Sequence, residues 1–463
     1  MDSVKREDIK IPKRILHTLL VSLGAGVVPR MGAPYIAIGR QPEIGALLAG
    51  LEAVSDGGAA VRFLIGRYGS GKSFLIQLTR GYALDRNFLT ADADLSPERR
   101  LSGGADCGLA TYRELIRNLA SKASPDGGAL PVILARHYAA LRTELAASGI
   151  HPDDAEFDKQ LRMRIYATLS SLEGGVGGFD FARVLGEYYA ASIADQSQKK
   201  SACLRWLRGE YATKTEARRE LGFSVSTVID DDNWYDFIKL WAIFARRLGY
   251  SGLVLYIDEC VNLYKIPNRI SREANYEKLL AIFNDTLQGR AEGLMVIFGG
   301  TPQFLEDTRR GLFSYEALRS RLADSRFVGE GYTTLSSPVI RLRRLSDDEL
   351  LALIARLTAL FATAQGIAEP LSSEDMITFL RTELARAGAE ELITPREIIR
   401  DYLSMLHILH ENPSLSFADV MGKQALEALC TQDGASFEGE VDTGNSASPT
   451  EGKNAFSLAD LDF

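Results

Sequence analysis

The stretch Gly66-Arg67-Tyr68-Gly69-Ser70-Gly71-Lys72-Ser73 constrains this chain more than any other. It satisfies the pattern G-x-x-x-x-G-K-[ST] at every fixed position. Val61-Arg62-Phe63-Leu64-Ile65 reads as a buried strand before it, and Phe74 to Leu84 as a helix after it, with Leu75, Ile76, Leu78 and Leu84 apolar. Strand, glycine loop and helix in that order make a cradle for an anion. The glycines let backbone approach closely, and the loop N–H groups hold phosphates together with the positive end of the helix. On this reading Gly66, Tyr68, Gly69, Ser70, Gly71, Lys72, Ser73 and Phe74 grip a nucleotide. Lys72 reaches the β and γ oxygens, and the Ser73 hydroxyl ligates Mg²⁺.

A second stretch, Leu253-Val254-Leu255-Tyr256-Ile257-Asp258-Glu259, is an apolar run ending in two acids. A buried parallel strand delivers carboxylates to the carboxyl edge of a sheet in this way. Asp258 then suits Mg²⁺, and Glu259 suits polarising a water that attacks the γ-phosphate, which favours ATP hydrolysis. Another buried strand, Leu294 to Phe298, leads to Gly299-Gly300-Thr301-Pro302. Thr301 has two readings: it orients the lytic water, or it caps the next helix. Arg319 and Arg321 lie on the exposed side of a helix from Leu312 to Leu322, either as solvated surface or as a residue offered to a neighbour's γ-phosphate. Tyr35 to Ile38 reads as a short strand that, with Gly39-Arg40, could floor an adenine ring.

At 463 residues, 46% of them hydrophobic and 25% charged, the composition is that of a globular protein of two or three domains. No apolar run is long enough to span a membrane, and the first residues carry acids with no apolar core of a signal peptide. The four cysteines are widely scattered, which suits a reducing cytoplasm. Net charge is −8, but residues 431–463 carry seven acids against Lys453 alone. The remainder is near neutral, so global charge offers no argument for nucleic-acid binding.

The pattern predicts an α/β chain in five parts. Residues 1–50 hold an N-terminal helix and the segment leading into the nucleotide site. Residues 51–345 form a P-loop ATPase core, a parallel sheet sandwiched by helices, interrupted by a helical insertion at about 96–235. Residues 346–411 form a small helical lid, 412–430 a terminal helix, and 431–463 an acidic disordered tail. Ser346 with Glu349, and Thr394-Pro395-Arg396-Glu397, are strong helix starts. Trp234 to Leu248 carries an aromatic stripe that reads as core rather than a base-stacking platform, and His407 and His410 read as packing or surface.

In their order along the chain these pieces resemble AAA+ ATPases. In wording the chain is similar to the BrxC/BrxD-type ATP-binding proteins of bacteriophage-exclusion (BREX) defence systems. Carrying that likeness are Gly66 to Phe74, Tyr112-Arg113-Glu114-Leu115, Tyr256 to Glu259, Gly299 to Pro302, Tyr315 to Leu322 and Thr394 to Glu397. The resemblance implies an oligomeric ATPase motor or remodeller in prokaryotic antiviral defence, acting on DNA or DNA-bound partners. Lys72 and Ser73 become Walker A, Asp258 and Glu259 Walker B, Thr301 sensor 1 and Arg396 sensor 2, with Arg321 preferred over Arg319 as a finger in trans. It also implies ATP and Mg²⁺, nuclease, helicase or modification subunits as partners, double-stranded DNA as a further candidate, a homo-oligomer, and no membrane. The alternative is a nucleotide-gated scaffold that recruits defence partners with little turnover.

Overall fold

The computed structural model describes residues 11–172, 174, 177–324, 337–385 and 394–422. The acidic stretch 431–463, much of the expected helix at 412–430 and part of the glycine run at 174–178 lie outside those residues. The chain divides into two compact units. One gathers Met1–Gln41, Tyr68–Gln77 and Arg343–Phe463, and the other Pro42–Arg67 and Leu78–Leu342.

The larger unit is built on a sheet of β1 (Ala60–Ile65), β2 (Leu89–Asp94), β3 (Leu253–Asp258), β4 (Leu294–Gly300) and β5 (Val339–Arg341). Their order across the sheet is β2-β3-β4-β1-β5, and every pairing is parallel. All residues of β3 and β4 are buried, as unbroken apolar runs require when helices cover both faces. Helices α2 (Gln41–Ser55) and α3 (Lys72–Asp85) flank β1 in the chain. Between β2 and β3 run α4 (Cys107–Arg117), α5 (Leu130–Ala147), α6 (Ala155–Ser170), α7 (Gly178–Ile193), α8 (Ser197–Leu207), α9 (Lys214–Leu221) and α10 (Trp234–Arg247). Next come α11 (Val261–Tyr264) and α12 (Arg269–Leu287) before β4, then α13 (Pro302–Glu306) and α14 (Glu316–Leu322) after it.

The stripe on α10 is core. Trp234, Phe237, Trp241 and Phe244 are at most 2% exposed. Phe181 meets Trp241 edge-on at 4.9 Å, and Trp206 meets Phe237 at 5.5 Å. Such pairs add about 0.5–1.5 kcal/mol each beyond the area they bury.

The smaller unit holds α1 (Lys13–Gly24), α15 (Asp347–Gln365), α16 (Ser373–Ala385), α17 (Pro395–Glu411) and α18 (Phe417–Met421). Leu19, Leu357, Phe361 and Leu406 share its core, where the Thr358 and Tyr402 hydroxyls lie 2.6 Å apart. Both α15 and α17 start in full capping boxes, Ser346 with Glu349 and Thr394 with Glu397, as their sequences predict. His407 and His410 pack edge-on against Phe361.

Residues 35–38 correct an expectation. They form no strand: Ala33–Ile36 is a 3₁₀ turn, with the Tyr35 N–H donating to the Gly32 carbonyl at 3.0 Å. Pro34 in the first turn fixes φ near the helical value and has no N–H for a ladder. No described helix is long and apolar enough to cross a membrane.

Candidate functional site

In the larger unit the functional groups gather at the carboxyl ends of the strands. β1 runs into Gly66, whose N–H donates to the Gly300 carbonyl at 3.1 Å. β4 lies between β1 and β3, so Thr301, just beyond its end, stands between the phosphate-loop strand and the acidic strand. Asp258 ends β3 at 9% exposure and accepts the Glu259 N–H at 2.8 Å. Its carboxylate lies directly over Gly299, where a Cβ would collide with it. Glu259 takes the left-handed conformation, φ +56°. For a non-glycine residue that costs about 1–2 kcal/mol, a cost that persists only where surrounding contacts over-determine it. Here the Cys260 N–H is held by the Gly299 carbonyl at 3.0 Å, and the Asn262 amide donates to the Leu95 carbonyl at 2.7 Å.

Asp94 ends β2 in register with Asp258. Partial burial pushes its carboxyl above the usual range, and the charges of Asp258, Asp92 and Glu259 push it further. Thr301 is the N-cap of α13, accepting the Phe304 N–H at 3.3 Å. The cap role uses a lone pair and leaves its hydroxyl proton available to donate. Arg319 and Arg321 are exposed on α14, with Arg321 folded back onto the Ala317 carbonyl at 2.7 Å.

In the smaller unit Tyr68–Gln77 carries most of the phosphate loop. Gly69 has φ +77°, and a Cβ there would meet the Thr394 side chain at 2.7 Å. Gly71 has φ +98° with open space beside it. The Ser70 hydroxyl is buried with no hydrogen-bond partner among the described residues, as expected of a cradle built for an acceptor-rich ligand. Arg40, 4% exposed, donates to the Ser70 carbonyl at 3.0 Å. The Arg396 guanidinium stacks 5.6 Å from the Tyr68 ring, which is 71% exposed. Phe74 packs on the helical core.

Behind Arg40, Gly39 has φ +71°, and a Cβ there would stand 2.6 Å from the Glu349 carboxyl carbon. Burial alone would raise the Glu349 pKa. The hydrogen bonds from Arg343 and the Ser346 N–H, with the charges of Arg343 and Arg40, hold it below the ordinary range instead.

Thus the smaller unit brings together Arg40, Tyr68, Gly69, Ser70, Thr394 and Arg396, while the larger brings together Asp94, Asp258, Glu259, Gly299 and Thr301. Sequence reasoning missed Asp94 and Thr394 as site neighbours. The acid alternation within Leu89-Thr90-Ala91-Asp92-Ala93-Asp94 was the available signal for the first.

Among the described residues no three His, Cys, Asp or Glu side chains cluster as a ready metal cage. Asp258, a carboxylate at the carboxyl end of β3, is an oxygen donor of the kind Mg²⁺ takes one or two of, alongside waters and phosphate oxygens.

A family model described as the BREX system ATP-binding protein BrxC/D matches residues 11–425. The chain belongs to this family. No curated protein matches it. As a BREX ATP-binding protein it binds ATP and serves phage defence, with other proteins of the system as its partners. The BrxC/D match takes in every candidate site residue and ends before the acidic stretch 431–463.

Proposed function

We propose that this BrxC/D protein hydrolyses ATP with Mg²⁺, as an AAA+-type motor or remodeller that works as an oligomer on DNA or DNA-bound partners in the cytoplasm. The observation carrying this reading is the turn at Asp258-Glu259, at the end of a fully buried strand, with Glu259 held at φ +56°. Strained residues of this kind cluster at active sites, and a carboxylate beside a second acid at the carboxyl edge of the sheet suits a general base for water, which nucleotide binding alone does not require.

In this mechanism the phosphate loop supplies the grip. N–H groups of Gly69 and Gly71 and the start of α3 face the phosphates, Lys72 neutralises the β and γ oxygens, and Arg40 braces the loop through the Ser70 carbonyl. Ser73 and Asp258 are the residues that would hold Mg²⁺, which would supply charge neutralisation on the phosphates. Glu259 takes the proton of the attacking water, and the Thr301 hydroxyl donates to that water or to the γ-phosphate. Arg396 acts as a sensor from the small helical lid, residues 346–411. Arg321, ahead of Arg319, serves a neighbouring copy as a finger, and residues 96–235 form a helical insertion offering partner surface.

The rival reading is a nucleotide-gated scaffold, favoured by the placement of Arg40, Thr394 and Arg396 around the loop, which would sense nucleotide without turnover. A Glu259→Gln variant separates the two. For a motor, phosphate release falls at least about 100-fold while fluorescent ATP-analogue binding stays near wild type, and phage defence is lost. Retained defence with turnover abolished would favour the scaffold.

A further inference from the structure

Away from the nucleotide site, a cavity of about 530 Å³ lies between α4, the start of α5 and the turn at 208–210. Arg99, Arg113, Arg117 and Arg208 rim it against Glu114 and Glu210, an excess of positive charge in a chain whose formal charge is −8. Its floor is apolar, made by Ile116, Leu130 and Pro131. The spacing of Arg113, Glu114 and Arg117 on α4 puts them on one helical face.

The rim is held in place without being neutralised. Arg113 donates its Nε to the Gly209 carbonyl at 2.8 Å, which fixes the plane of its guanidinium and turns the terminal nitrogens to other partners. Glu114 is shared between Arg117 at 2.5 Å and Arg99 at 3.7 Å, and Arg208 stands 3.9 Å from Glu210. The two long pairs are loose enough for an incoming carboxylate to compete. No lining residue is aromatic, so the cavity lacks the platform on which unpaired bases stack. Fixed guanidinium forks over an apolar floor suit carboxylates carried on a chain with bulky apolar side chains.

This chain carries such a segment, Ala455-Phe456-Ser457-Leu458-Ala459-Asp460-Leu461-Asp462-Phe463, outside the span of the family match. Extended, it would set Asp460 and Asp462 on one side and Leu461 and Phe463 on the other, matching rim and floor. We propose that the arginine-rimmed cavity docks an acidic, apolar peptide segment, and that its occupant is residues 455–463 of a second copy of this chain.

The test titrates a fluorescein-labelled, amidated peptide of residues 455–463 with the full chain carrying Asp460→Asn and Asp462→Asn, so that its own segment does not compete. Anisotropy should report saturable binding with a Kd on the order of 10–100 µM. Adding Arg113→Glu and Arg117→Glu should weaken it at least about 10-fold, as should the same two asparagines in the peptide. Unchanged binding of a fluorescent ATP analogue shows that the charge-reversed chain is folded. Absence of saturation at about 1 mM, or equal binding by the charge-reversed chain, overturns the proposal. So does a mixed-sequence oligonucleotide that binds with the same arginine dependence where the peptide does not. A wild-type particle that stays monomeric well above the measured Kd overturns the assignment to a second copy.

Discussion

Replacing Gly299 by alanine tests the acidic turn through a single methyl group. The new Cβ would overlap the Asp258 carboxylate, with the carboxyl carbon at 2.9 Å and the Asp258 backbone at 3.4 Å. Side-chain rotation could relieve the overlap with the carboxylate. The backbone at 3.4 Å is in ordinary contact, so the strain falls on the carboxylate, which must swing away from the Glu259 N–H that holds it unless the two strands part slightly. Overpacking of this kind costs about 1–3 kcal/mol. At about 2 °C per kcal/mol for a domain of this size, the melting temperature should fall by about 2–6 °C. The catalytic loss should be larger, because moving Asp258 by about 1 Å can cost a factor of 100 in rate. Gly45→Ala is the control: it sits in α2 with nothing within 4 Å of the added methyl, and helix propensity predicts up to about 1 kcal/mol of stabilisation. Scanning fluorimetry and steady-state phosphate release give both readouts. A Gly299→Ala chain that melts and hydrolyses like wild type would refute the placement of Asp258 as a working ligand.

Glu259→Gly should melt at or above the wild-type temperature, since glycine accepts φ +56° freely, yet lose turnover at least about 100-fold. Glu259→Val should lose about 1–2 kcal/mol in the same denaturation assay, because a β-branched residue resists that conformation. Arg396→Ala removes an exposed stack over Tyr68 worth about 0.5–1 kcal/mol, so stability should barely change while ATP-analogue fluorescence reports about 10-fold weaker binding. Burial lowers the His137 pKa to about 4, with its Nδ1 2.8 Å from the Tyr189 hydroxyl. The unfolded chain protonates this histidine near pH 6.5, so stability should fall as pH drops from about 6.5 to 4 and level off below. The difference between wild type and His137→Gln in melting temperature against pH isolates that limb.

Some of this was legible in the sequence because local chemistry and tertiary role coincide there. Gly66 to Ser73 announces a cradle whatever surrounds it, and β3 reads as buried because nothing polar interrupts it before Asp258. The capping boxes at Ser346 and Thr394 are local codes that need no partner. Other features depend on long-range neighbours. Nothing near Gly69 in the chain says that Thr394 will fill the space beside it, and nothing near Asp94 says that strand pairing will set it level with Asp258. Tyr35 to Ile38 misled because apolar residues suit a strand and a buried turn equally. Pro34 was the deciding signal.

The chain has three tryptophans, Trp206, Trp234 and Trp241, and all belong to the core of the larger unit at 2% exposure or less. Emission excited at the red edge of indole absorption therefore watches that unit alone, whereas far-ultraviolet dichroism averages over every helix in both. Melting curves recorded by the two signals on one sample become a built-in gauge of cooperativity: coincident curves mean the two units unfold as one, and a lag between them measures how independently each holds together.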